Sequence, residues 1–210
     1  MEQNKVIYIY GASGHGRVIA DIAYACGYTI GGWIDDSIYN DAPDWETFIQ
    51  THTSCPIALG IGNNYTRFEL SEKITRLGYQ LPALIHPSAI ISPSAAISYG
   101  TVVMPLSVIN AHAIIGKGVI VNSGAIIEHD CILGDYSHIS PNAALAGNVT
   151  IGDYTHIGIS ATIIQNITVG VHALIGAGSV VIDHIPNNCT AVGAPSRIIS
   201  SSLKPHPVSS

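Results

Sequence analysis

The chain has 210 residues, 47% of them hydrophobic and only 10% charged, with a formal net charge of -6. That balance suits a compact core, and without any Lys/Arg run it argues against a disordered chain, a nucleic-acid footprint or a polybasic membrane patch. No apolar run approaches the ~18–20 residues that span a bilayer, and the start MEQNKVIYIYG lacks a basic segment followed by an unbroken apolar one; a cytoplasmic address is expected. Cys26, Cys55, Cys131 and Cys189 are dispersed with no CxxC pair, so reduced thiols are expected rather than disulfides or a cysteine zinc site.

In chain order, VIYIY reads as a strand, GASGHG as a glycine-rich turn, and RVIADIAYACG as a helix that Gly27 can end. TIGGWIDD is a second strand closing on Asp35 and Asp36. The acidic stretch after it predicts a short helix beyond Pro43. PIALGIG is a third strand, after which Asn63 or Asn64 can cap a helix through YTRFELSEKITRLGY, ended by Gly78. Strands alternating with helices favour a small parallel sheet that takes ligands at the carboxyl ends of its strands. Gly11, Gly14 and Gly16 let backbone approach a phosphate at a helix N-terminus, with His15 adding a donor. The GxxGxG spacing, with no second dinucleotide half, disfavours an NAD site.

From Ile85 the period changes. Every sixth residue through Val181 is Ile, Val or Leu, seventeen in succession, and the residue four further on is always Ala, Ser, Thr, Cys, Val or Ile. A fixed six-residue repeat signals stacked units sharing one core, a parallel β-helix. GDYSHI at 134–139 recurs as GDYTHI at 152–157, which makes one coil eighteen residues and stacks Tyr154 on Tyr136 and His156 on His138 at ~4.8 Å.

The hexads resemble the left-handed β-helix of hexapeptide-repeat acyltransferases. Together with IYIYGASGHGRV, WIDD, GIGNN, LIHPSAIISPSA, IIEHDCILGDYSHIS and AGNVTIG they make the chain, from about residue 5 to Arg197, similar to bacterial nucleotide-sugar N-acetyltransferases that acylate a UDP-linked 4-amino sugar. The resemblance implies a Rossmann-like nucleotide-sugar domain over 1–82, a left-handed β-helix over 83–198 and a flexible tail over 199–210. It implies His129 as general base, the following acid as its partner, the Gly147 amide facing the thioester oxygen, and His138, Ile159, Ala177 and Arg197 along acetyl-CoA. Gly11, Ser13, Gly14, His15, Gly16, Asp35, Asp36 and Gly62 fall to the nucleotide sugar. Two departures stand out: Asp130 replaces Glu after the histidine, leaving Glu128 as an alternative partner, and Ser196 replaces Ala in VGAPSR.

The residues themselves fit that chemistry. An amine attacking a thioester must lose a proton, which a neutral imidazole can take while a carboxylate on its other nitrogen fixes the tautomer. The oxyanion that forms needs a donor such as a backbone amide. Cys131 falls at an inward hexad position, so direct transfer is favoured over a covalent acyl-enzyme. Spacing along the coil puts His129 and His138 on the order of 15 Å apart in one subunit; for both to touch one acetyl-CoA the site must lie between subunits, most simply in a homotrimer. Sialic acid O-acetyltransferases and GDP-perosamine N-acetyltransferases share the plan. A zinc hydratase is disfavoured because no HxxxH or HxxxxH occurs, so no metal is expected, and a non-catalytic nucleotide-sugar-binding scaffold is the reading outside catalysis.

Overall fold

The computed structural model describes residues 5–37 and 41–201. The amino-terminal part is a three-stranded parallel sheet in which β1 (Lys5–Tyr10) lies between β2 (Tyr28–Ile34) and β3 (Ile57–Leu59). Helix α1 (Gly14–Ala25) packs on this sheet, the four-residue α2 (Trp45–Phe48) follows Pro43, and α3 (Asn64–Arg76) begins where the Asn63 side chain accepts from the Thr66 amide. Asp44 caps α2 in the same way through the Thr47 amide. These caps satisfy amides that a helix start leaves without intrahelical partners.

Seventeen two-residue strands, from Leu84–Ile85 to Val180–Val181, then wind into a parallel β-helix, closed by Thr190–Val192 and the antiparallel Arg197–Ser200. Strands pair with a register of eighteen, Ile120 on His138 and Ile126 on Ala144, and stack into three sheets that form the sides of a triangular prism. From Val103 onward the aliphatic residue of every hexad is fully buried, as are the small residues four positions on, such as Ala113, Ala125, Cys131 and Ala143. Each buried aliphatic side chain is worth ~1.5–3 kcal/mol against exposure, so the expected pattern is also the main store of stability.

At most corners the residue three after the aliphatic adopts a left-handed backbone, among them Asp130 (φ 60°), Tyr136 (φ 56°) and Asn148 (φ 58°). Asn and Asp tolerate this region better than most side chains. Tyr136, like Tyr154 and Leu106, is a costlier case, and its ring has a use. Its hydroxyl donates to Ser71 Oγ at 3.0 Å, and Phe68 of α3 meets it edge-on. Leu84, Val102, Met104 and Ile120 meanwhile pack against Ile19, Ile22 and Ala23 of α1. One face of the prism is thus the seat of the amino-terminal sheet and its helices. The last strand is Arg197–Ser200, and residues 202–210 of the expected tail lie outside the described residues.

Candidate active site

The glycine turn is built by exclusion of side chains. A Cβ on Gly16 would collide with the Gly11 carbonyl and sit 3.3 Å from the Trp33 ring, so turn and helix start are pressed together, with Gly60 against both. Helix α1 starts at Gly14, inside the turn. Ser13 precedes it without capping it through its side chain, and no acid occupies the first turn. That leaves first-turn amides and the positive end of the helix facing outward, an arrangement suited to phosphate. His15 sits half-buried there, its Nε2 enclosed and without a partner among the described residues. Burial, and then the Arg67 charge, lower its pKa.

Asp35 and Asp36 stand at the end of β2, as the sequence predicts, with both carboxylates engaged by the protein. Asp35 accepts from the Ala12 amide at 2.6 Å and the Ser37 amide at 2.8 Å. Asp36 accepts from the Tyr10 hydroxyl at 2.5 Å and the Trp45 amide at 2.9 Å. Burial and the Asp36 carboxylate push the Tyr10 pKa up. The aspartates thereby brace the loop beside a cavity of about 480 Å³ lined by Ala12, Arg17, Trp33, Asp41, Ala42 and Pro43. Arg17, Trp33 and Pro43 were not marked by the sequence as lining one pocket, because nothing in their spacing makes them neighbours.

His129 lies on the prism edge between the Ile126–Ile127 and Ile132–Leu133 strands. Its Nδ1 is 2.8 Å from Asp130 Oδ2, while Glu128 turns to the His129 amide at 3.3 Å. The structure therefore makes Asp130 the partner of the ring. The shorter acid reaches because its left-handed backbone folds the side chain back alongside its neighbour. With Nδ1–H donated to a carboxylate, Nε2 keeps a lone pair, the state a general base requires. One coil on, Gly147 lies against the imidazole: a Cβ there would be 2.6 Å from Nε2 and Cε1. The Gly147 amide donates to no acceptor among the described residues.

His138 occupies a different side of the prism. It extends the outward row of Leu84, Val102 and Ile120 on the sheet that seats the amino-terminal domain, opposite the edge that carries His129. Its ring stacks on His156 at 4.6 Å and 10°, and Tyr136 stacks on Tyr154 at 5.9 Å and 9°, as the repeated GDY(S/T)HI predicts. Asn122, which sequence reasoning overlooked, uses its oxygen for the Ser123 amide, so its nitrogen donates to His138 Nε2 at 3.0 Å. That makes Nε2 the acceptor and puts the proton on Nδ1, which is buried and without a partner among the described residues. Burial, then the neighbouring His156, Arg67 and His15, push the His138 pKa down to about 2.

Comparison with known proteins decides what this geometry belongs to. The family described as PglD N-terminal domain matches residues 6–74, and bacterial transferase hexapeptide (six repeats) matches 112–147. A perosamine N-acetyltransferase variant from Caulobacter crescentus, solved with CoA and GDP-perosamine, superimposes with a TM-score of 0.87 at 33% identity, covering 92% of this chain and 96% of that one. The chain belongs to the nucleotide-sugar N-acetyltransferase family. The acetyltransferase domain of PglB from Neisseria gonorrhoeae FA1090, in complex with acetyl coenzyme A, is 38% identical with a TM-score of 0.85, over 93% of this chain and all of that one. UDP-N-acetylbacillosamine N-acetyltransferase from Bacillus subtilis (strain 168) is 39% identical over 111 residues, which span 48% of this chain and 51% of that protein.

For this family member, the residues expected along acetyl-CoA are spread out within one subunit. Ile159 and Ala177 are exposed and stack on the edge between the His138 sheet and the Ile126 sheet, away from the His129 edge. Arg197 is exposed on the last strand, its Nη1 donating to the Ser196 carbonyl at 2.9 Å. Among the described residues no group of three His, Cys, Asp or Glu side chains is placed to hold a metal ion, and no helix is long and apolar enough to cross a membrane.

Proposed function

We propose that this protein transfers the acetyl group of acetyl-CoA to the amino group of a nucleotide-linked sugar, of the UDP-4-amino-4,6-dideoxyhexose type, for surface-glycan synthesis. The observation that carries this reading is the His129–Asp130 pair with a free Nε2 beside the unengaged Gly147 amide. His129 takes the proton as the amine nitrogen bonds to the thioester carbonyl carbon, and Asp130 stabilises the imidazolium. The Gly147 amide donates to the oxyanion. The C–S bond then breaks and His129 returns the proton to the departing thiolate. Cys131 Sγ–H is turned inward to the Ala146 carbonyl at 3.2 Å and burial raises its pKa, which fits transfer without an acyl-enzyme.

In this reading residues 1–82 hold the nucleotide sugar, with the diphosphate on the glycine turn, and 83–198 carry out the transfer. Because His129 and His138 sit on opposite sides of one prism, the reaction uses His138 and the nucleotide pocket of one subunit with His129, Asp130 and Gly147 of a neighbour. Ile126, Ile132 and Ile114 flank the His129 edge with 39%, 44% and 52% of their surface exposed, an apolar rim suited to burial between subunits. A closed homotrimer repeats that cleft three times. The unpaired thiols among the described residues suit a reducing cytoplasm.

The test is thiol release from acetyl-CoA over a panel of UDP- and GDP-linked amino sugars and sialic acids. Release with a nucleotide-linked 4-amino sugar, abolished in His129→Ala, is expected. Preference for a hydroxyl acceptor would replace the reading with O-acetylation. No turnover with any acceptor would return the binding-scaffold alternative.

A further inference from the structure

Arg67 is 1% exposed, yet none of its hydrogen-bond partners among the described residues is anionic. Its Nε donates to the Gly118 carbonyl at 2.7 Å and Nη1 to the carbonyls of Ile61 at 3.1 Å and Gly62 at 3.2 Å. Nη2 donates to Asn64 Oδ1 at 2.9 Å, the Tyr136 carbonyl at 2.9 Å and the Ser137 carbonyl at 3.3 Å. One guanidinium thus holds the loop after β3, the start of α3 and two successive coils of the prism, the second of them at the residue before His138. The 60–62 loop is itself pressed on the glycine turn through Gly60.

Dipoles satisfy every direction of the fork, but a buried charge without a counter-ion still costs free energy. Burial pushes the Arg67 pKa down to about 9, which leaves it a cation at neutral pH. Its charge acts at His15, His138 and His156, all of which it helps keep neutral, so the three imidazoles cannot compensate it. An anion arriving at the His15 turn can.

We propose that Arg67 is a positioning residue for the nucleotide sugar: it locks the 60–62 loop to the strand bearing His138, and its unmatched charge is completed by the substrate's diphosphate. This rests on the glycine turn being the diphosphate site.

The test is calorimetric binding of UDP, GDP and the matching nucleosides, and separately of acetyl-CoA, to wild type, Arg67→Lys and Arg67→Gln. Interaction with a unit charge in a partly buried site is worth roughly tenfold or more in affinity. The diphosphate-over-nucleoside preference should therefore drop about tenfold in Arg67→Gln and stay within about threefold of wild type in Arg67→Lys, with any change in acetyl-CoA affinity smaller than the change in that preference. A preference as large in folded Arg67→Gln as in wild type would overturn the proposal. If the glutamine variant does not fold, Arg67→Lys decides: retention supports a role for charge, and collapse of the preference refutes it. Wild type that binds neither UDP nor GDP would instead remove the diphosphate site, a distinct outcome.

Discussion

Gly147→Ala isolates the geometry of the proposed base from the stability of the fold. The added methyl would lie 2.6 Å from His129 Nε2 and Cε1, whereas ordinary contacts between such atoms begin near ~3.5 Å. The imidazole must therefore retreat by about 1 Å, and a misplacement of that size costs on the order of a hundredfold in rate. Gly147 has no left-handed backbone and sits half-exposed at a corner, so alanine fits the chain itself. The expected result is kcat reduced roughly a hundredfold, with a melting temperature within about 2 °C of wild type. Thiol release at saturating acetyl-CoA and amino sugar, beside a thermal melt, measures both. The double variant with His129→Ala should be no slower than His129→Ala alone, because the damage passes through that ring. Turnover within threefold of wild type in Gly147→Ala would refute the reasoning.

Asp130→Asn should slow transfer by roughly ten- to a hundredfold, while Glu128→Gln changes it by less than about threefold; equal effects in steady-state kinetics would show that both acids act on the ring. Because the His138, His15 and His156 pKa values fall on folding, the unfolded chain binds more protons below pH 6.5, and stability is lost as pH drops through that window. His138 alone should contribute up to about 2 kcal/mol between pH 6.5 and 5. Melting temperatures over that range should therefore be less acid-sensitive in His138→Gln, and an unchanged pH slope would count against the buried neutral ring. Co-expressed His129→Ala and His138→Ala chains, mixing equally and at random, should recover about a quarter of wild-type activity, because about three quarters of the trimers are mixed and each of those has one of its three clefts intact on both sides. No recovery in trimers shown to be mixed by mass spectrometry would place both histidines in one subunit's site.

The prism was readable because its signal has a period no helix or meander shares, and the repeated GDY(S/T)HI gave the coil length and hence the stacked histidines. The partner of His129 was not readable: Glu128 and Asp130 are equally near in sequence, and only the left-handed corner at 130 turns one toward the ring. Arg67 was hidden for another reason. In YTRFELSEKITRLGY it looks like one more surface charge on an amphipathic helix, and its burial depends on carbonyls 51 and 70 residues away. Asp35 and Asp36 show the reverse, prominent at a strand end yet committed to amides and a hydroxyl of their own chain.

The eighteen-residue register runs unbroken from Leu84 to Val181, so the prism acts as a graduated ruler. Splicing in one complete coil between Ile157 and Ile175 would keep every side chain on its side while carrying Arg197 ~4.8 Å further from His129. Acyl carriers of graded length would then report, notch by notch, how far the last strand stands from the reacting carbon.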